Sequence, residues 1–295
     1  MPDDTVLIIG GGVGPMAGVA LHARIIENTL ANSDAGHLPV HHLSRSSDVT
    51  DRTEFLLGRV SENPAEGMAR TVRLAISGLT SQPLGDLIDR LPGDSTGGLP
   101  GDSTGGLPGT GGPPGDCLLA VIGVPCNTFH APAIFGRFRE LLAGMATVGQ
   151  LALVDMLEET IGLIRQRAPS GRTIAVMSTT GTRRSAVYDR LLVQAGFGIL
   201  HVTDDEQALL HAAIYDQDWG IKATPAPSER AKLELRNLAL ALAEQGADAI
   251  VLGCTELPLA LTESQISGIP LIDPVTALAR AMIRKAAPDK LRALS

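Results

Sequence analysis

The chain has 295 residues, 44% of them hydrophobic and 19% charged, which is enough apolar material for one large or two medium domains with a sizeable core. A net charge of −8 and an aromatic content of only 3% argue against a nucleic-acid partner, which wants basic surface and stacking rings, and against an anionic membrane surface. Three cysteines do not make a disulfide framework, so a reducing cytoplasm is expected. The acidic start Met1-Pro2-Asp3-Asp4 enters a strand directly and no apolar run approaches ~20 residues, so neither a secretory signal nor a membrane span is expected.

Taken in chain order, apolar runs of strand length alternate with helical patterns. Strands are predicted at Val6–Gly10, Val40–Leu43, Leu118–Val124, Gly149–Val154, Thr173–Met177, Gly198–His201, Ala249–Leu252 and Ile269–Ile272. Helices are predicted over Pro15–Asn32, Glu62–Leu79, Ala131–Leu142, Leu157–Ala168, Arg184–Ala195, Asp205–Tyr215, Pro227–Gln245 and Val275–Lys285. The alternation indicates an α/β protein with parallel sheets flanked by helices. One stretch breaks it: the octapeptide GDSTGGLP occupies 93–100 and recurs unchanged at 101–108, and a Gly- and Pro-rich run continues to residue 116. Such a segment buries too little apolar surface to offset its ordering entropy, so 93–116 is read as a flexible insertion at the sheet end remote from the strand C-termini.

The chain also carries a faint internal symmetry. Val6-Leu7-Ile8-Ile9 leads into Gly10-Gly11-Gly12-Val13-Gly14 and a helix, and Thr173-Ile174-Ala175-Val176-Met177 leads into Ser178-Thr179-Thr180-Gly181-Thr182 and a helix. Each unit is followed later by a strand that ends in a cysteine, Cys126 in Val124-Pro125-Cys126-Asn127-Thr128 and Cys254 in Leu252-Gly253-Cys254-Thr255-Glu256. Free cysteines are often plain core residues. Two of them at strand ends, each followed by a small polar residue, fit better with thiols whose anionic form is stabilised by hydroxyls, amides and backbone N–H groups. Cys117 opens its strand without polar neighbours and is read as structural. No Cys-x-x-Cys pair or histidine cluster points to a metal. Gly12-Val13-Gly14-Pro15-Met16-Ala17 is a weak match to a dinucleotide fingerprint; no acidic residue ends the next strand, so a tight turn that admits a small anionic substrate is the better reading.

These landmarks together resemble the aspartate/glutamate racemase superfamily, and most closely its aspartate racemase branch. The matching pieces are Gly11-Gly12-Val13-Gly14-Pro15, Asp51-Arg52-Thr53, Pro125-Cys126-Asn127-Thr128 with His130, Thr179-Thr180-Gly181-Thr182, Asp205-Glu206-Gln207 before Ile214-Tyr215, Gly253-Cys254-Thr255-Glu256 and Leu271-Ile272-Asp273-Pro274, in family order over almost the whole chain. The chain departs from the family pattern at Val13, usually Met, at Phe129, usually small, and in Leu43–Ser47, which lacks the usual asparagines.

The resemblance implies two pseudo-symmetric α/β lobes, 1–142 plus 268–295 and 143–267, with the active site in the cleft between them. It implies a racemase that needs no pyridoxal phosphate or other cofactor, with Cys126 and Cys254 as its two acid/base groups. Asn127, Thr128, Thr179, Thr180, Thr255, Glu256 and the Gly11–Gly12 turn would bind substrate, and Arg52 and Lys222 would sense a second carboxylate, most naturally that of aspartate. Glutamate or another amino acid is the nearest alternative, and an inactive dicarboxylate-binding relative the second. A small-molecule substrate and a homodimer are the partners expected.

Overall fold

A computed structural model describes residues 5–79, 120–145 and 151–294. The repeat insertion and Cys117 lie outside the described residues. Along the chain run β1 (Val6–Gly11), α1 (Pro15–Asn28), β2 (Val40–Ser44), α2 (Arg52–Leu56), α3 (Pro64–Ser77), β3 (Ala120–Gly123), α4 (Pro132–Ala143), β4 (Leu151–Leu153), α5 (Met156–Arg167), β5 (Thr173–Met177), α6 (Thr180–Ser185), α7 (Val187–Gln194), β6 (Gly198–Leu200), α8 (Asp204–Tyr215), α9 (Glu229–Glu244), β7 (Ala249–Leu252), α10 (Leu257–Ala260), β8 (Gln265–Ile266), β9 (Ile269–Ile272) and α11 (Pro274–Ala286).

The strands form two sheets. The first has the order β2-β1-β3-β4 and is parallel throughout; the second has the order β6-β5-β7-β9-β8 and is parallel except where β8 returns along β9. β1, β3 and β7 are buried at every residue, as expected of strands covered on both faces. The helices start where the sequence supplies caps. Asn63 precedes Pro64, Asp155 accepts from Leu157 N, Thr203 and Glu206 form a capping box, and Asp273 accepts from Val275 N, each contributing about 1 kcal/mol.

The period-2 geometry of the strands divides the interior into three layers. Val6 and Ile8 of β1 point toward Met68, Val72 and Phe138 on α3 and α4, while Leu7 and Ile9 point the other way. In the second sheet Ala175, Met177, Ile250 and Leu252 face Leu210 and Leu235 on α8 and α9. Residues on the facing sides of both sheets, including Val121, Ile174, Val176, Val251 and Ile272, share one central cluster filled by Leu278, Met282 and Ile283 of α11. The two sheets are therefore joined by a common core.

The chain crosses between sheets at positions other than those expected. β4 belongs to the first sheet although it lies beyond residue 142, and β9 belongs to the second although it lies beyond residue 267. In each case the strand stays with the sheet that supplies its hydrogen-bonded neighbour, and the helix after it makes the crossing. α2, α6, α10 and β8 were not anticipated; each is six residues or shorter, too brief to show a period.

Candidate active site

Cys126 and Cys254 follow β3 and β7, strands flanked on both sides within their sheets. Both side chains are buried, and both line one cleft at the C-terminal ends of the strands. The first lobe contributes Val13 from the β1–α1 turn, Asp51, Arg52 and Thr53 at the start of α2, and Asn127 and Thr128 beside Cys126. The second contributes Thr179, Thr182, Tyr215, Lys222 and the run Gly253–Glu256.

The two sulfurs have unlike neighbours. Arg52 is brought to Cys126 by the short helix α2, whose N-terminus is capped by Asp51 accepting from Thr53 N and Glu54 N. One Arg52 nitrogen, Nη2, donates to the Val13 carbonyl at 3.3 Å, while Nε is buried without a hydrogen-bond partner. Burial disfavours the guanidinium charge, but the Cys126 sulfur, Asp51 and Tyr215 outweigh it and its pKa is raised. A cation thus stands against Cys126.

Cys254 meets an anion. Its Sγ donates to Glu256 Oε2 at 3.0 Å, and Thr255 Oγ1 donates to the same oxygen at 3.1 Å. The other oxygen, Oε1, receives Lys222 Nζ at 3.1 Å, and that ammonium also lies 4.8 Å from the centre of the Tyr215 ring. Burial pushes the Cys254 thiol well up, and the Glu256 charge pushes it further, against the opposing pull of Lys222. Burial would raise Glu256, but Lys222 and the hydrogen bonds from Cys254, Lys222 and Thr255 hold its carboxyl below the usual range. Burial would lower Lys222, but Glu256, Cys254 and Tyr215 carry it well above its ordinary value. Cys254 is accordingly a thiol whose hydrogen points at a carboxylate.

Across the cleft run three threonine hydroxyls. Thr182 Oγ1 lies 3.0 Å from Thr128 Oγ1 and 3.1 Å from Thr179 Oγ1, and Thr179 caps α6 by accepting from Thr182 N. His130 sits behind Cys126, its Nδ1 2.9 Å from the Cys126 carbonyl; burial lowers its pKa, so the ring is neutral and Nδ1–H donates.

Nine of the residues singled out in the sequence line the cleft: Cys126, Cys254, Arg52, Asn127, Thr128, Thr179, Lys222, Thr255 and Glu256. Gly11, Gly12 and Thr180 do not. A side chain on Gly11 would come within 2.8 Å of His42 Nε2, and one on Gly12, whose φ is +91°, within 2.7 Å of the Arg45 backbone, so these glycines make room for β2 and the chain after it. The next residue, Val13, is the one that reaches the cleft. Thr180 is the half-buried first residue of α6, and Thr182, two residues on and so roughly on the opposite side of the helix, lines the cleft in its stead. Tyr215 and Thr182 are the main additions: the Ile214-Tyr215 pair is visible in the sequence, but without the fold nothing ties it to Lys222.

Among the described residues no helix is long and apolar enough to cross a membrane. Several known proteins resemble this chain. Over 164 residues it is 29% identical to the broad-specificity amino-acid racemase RacX of Bacillus subtilis, a match spanning 55% of this chain and only 63% of that protein. The fold matches Picrophilus torridus aspartate racemase with a TM-score of 0.65 at 20% identity, covering 96% of this chain and 94% of that one. It also matches an aspartate racemase homologue from Pyrococcus horikoshii (TM-score 0.59, 17% identity, 96% and 99% covered). A Francisella tularensis glutamate racemase solved with D-glutamate follows at 0.52 and 14%, covering 100% of this chain and 85% of that one. The family model for Asp/Glu/hydantoin racemases matches residues 118–282, more than half of the chain and a span that includes both cysteine motifs. This chain belongs to the Asp/Glu/hydantoin racemase family.

Proposed function

We propose that the protein is an amino-acid racemase that works without pyridoxal phosphate, with Cys126 and Cys254 as its acid/base pair and an acidic amino acid, aspartate first, as substrate. The observation that carries this reading is the asymmetry of two buried sulfurs in one cleft, one against the Arg52 guanidinium and the other donating to Glu256. Racemisation needs one thiolate to take the Cα proton and one thiol to deliver a proton to the opposite face. The Glu256 carboxylate holds the proton on Cys254, and the base role falls to Cys126, which stands beside the Arg52 guanidinium. Each turnover moves the proton from one sulfur to the other, and the reverse reaction restores it.

The Cα–H of an amino acid is weakly acidic, so charge developing on the α-carboxylate must be met by fixed donors. Asn127, Thr128, Thr179, Thr182 and Thr255 offer an amide and four hydroxyls for this role. Arg52, with its unpartnered Nε, is the cation offered to a second carboxylate. Lys222 is already paired with Glu256, which favours a second reading, a racemase of wider range in which Arg52 alone distinguishes acidic from neutral side chains.

The protein is further proposed to act as a homodimer in a reducing cytoplasm, where both thiols stay free. Met16, Val19 and Ile26 are each about half exposed and fall on one face of α1 at spacings of three and seven residues, a stripe able to meet its own copy about a twofold axis.

The test is deuterium exchange at Cα in heavy water, followed by NMR, with pure L- and D-aspartate, glutamate and alanine. Exchange with loss of optical purity, fastest for aspartate, supports the proposal. Comparable rates for alanine support the wider range. Binding without exchange means that the protein is an inactive dicarboxylate binder.

A further inference from the structure

We infer that Tyr188 is a positioning residue that aims the Asn127 amide into the cleft and ties together the two loops that carry the cysteines. This inference rests on the racemase reading above. Tyr188 lies on α7 in the second lobe and is buried in the central cluster. Its hydroxyl donates across the lobe boundary to Oδ1 of Asn127, the residue after Cys126. The same ring closes on the other motif. A side-chain carbon on Gly253, the residue before Cys254, would sit 3.2 Å from Tyr188 Cε2, so the glycine is what lets the ring pack against that loop.

The hydrogen-bond inventory fixes what this does. An Asn side chain has one accepting oxygen and one donating NH2 group. With Oδ1 held by Tyr188, the NH2 group is turned the other way, and Asn127 lines the cleft. That NH2 group has no protein partner among the described residues. Thr160, beside the Tyr188 hydroxyl, gives its own proton to the Met156 carbonyl at 2.7 Å. Burial keeps Tyr188 protonated far above neutral pH, so the donor persists wherever the thiols work. Without the hydroxyl the amide is free to rotate, and its donor is lost from the position where the α-carboxylate gathers charge.

The experiment is a double-mutant cycle on kcat with Tyr188→Phe, Asn127→Ala and the double variant. Tyr188→Phe is expected to lower kcat roughly 10- to 100-fold, less than loss of a whole preorganised donor, with little change in the thiol-set pH profile. On the Asn127→Ala background the same substitution should have almost no further effect. A folded Tyr188→Phe protein with kcat within about twofold of wild type overturns the inference. So does an equal loss on both backgrounds, which is the signature of a merely structural ring. If Tyr188→Phe does not fold, the wild-type protein still decides: the Tyr188 hydroxyl proton should give a slowly exchanging NMR signal that vanishes in Asn127→Ala, and its persistence there overturns the inference. Failure of the racemase reading is separate, since wild type itself then shows no exchange.

Discussion

Lys222 Nζ lies 3.1 Å from one oxygen of Glu256, and the other oxygen of that carboxylate accepts the thiol hydrogen of Cys254 at 3.0 Å. One buried anion thus serves a cation and a thiol together, and its removal affects both. Glu256→Gln keeps the shape and removes the charge. The Glu256 anion raises the Cys254 pKa, so the substitution lowers it, and the now unpaired Lys222 lowers it further. In the direction that uses Cys254 as base, the acidic limb of the kcat/KM profile is expected to move to lower pH. The limb for the opposite enantiomer should move much less. Equal movement of both limbs would show that Glu256 does not act through Cys254.

Cys126→Ser and Cys254→Ser are each expected to reduce racemisation by several orders of magnitude, because a serine hydroxyl is too weakly acidic to serve as the base. Each variant keeps a thiol on one face. Cα deuterium exchange should therefore survive for one enantiomer only, and for opposite enantiomers in the two variants. Interconversion by Cys254→Ser at near the wild-type rate would falsify the two-thiol mechanism.

Arg52→Ala tests specificity. It removes the guanidinium beside Cys126 and the buried donor Nε. The kcat/KM ratio of aspartate to alanine is expected to collapse toward unity, with the larger change in KM. Lys222→Ala should alter that ratio less, because the charge it removes is balanced internally by Glu256. The two ratios, measured side by side, tell which cation reads the substrate.

Cys254 also couples stability to pH. Its folded pKa lies well above the ordinary 9.0, so the folded state holds a proton that the unfolded chain releases. The stabilisation is fully present below pH 9.0 and is lost as pH rises toward the folded value. The melting temperature should fall above that pH, and fall less steeply in Cys254→Ser. Identical slopes would mean that the thiol does not titrate across the transition.

Ile26→Asp places a charge in the exposed apolar stripe of α1 without touching the core, since Ile26 is 49% exposed. Light scattering should show the wild type at twice the chain mass and the variant at the chain mass. A wild-type monomer, or a variant that stays paired, removes α1 as the contact.

How much of this the sequence discloses depends on the range of the interaction. Strands such as Thr173–Met177, Ala249–Leu252 and Ile269–Ile272 are delimited to the residue, because a largely buried strand is a short apolar run bounded by polar turns. The cysteine motifs are legible for the same reason: the loop after a buried strand is where its C-terminal groups emerge. Lys222 and Glu256 were each recognisable through the resemblance, but their pairing across 34 positions was not, because ion pairing between loops leaves no periodic trace. Tyr188 gave no signal at all; an aromatic residue on a helix reads as core, and only the fold brings its hydroxyl to Asn127. Gly11 and Gly12 show the opposite error, in which residues inside a recognisable motif serve the backbone while Val13 next to them meets the cleft.

The layer shared by the two sheets bears on how the chain is made. Leu278, Met282 and Ile283 fill the central cluster against Leu7, Ile9 and Val121, so the first sheet waits for a helix encoded after the second. During synthesis the first lobe emerges early and stays only partly covered on that face, by Leu21 and Ile25 of α1, until α11 leaves the ribosome. The half of the molecule that begins the chain is thus among the last to be finished, and a transcript truncated before residue 274 would release two sheets with their common wall missing.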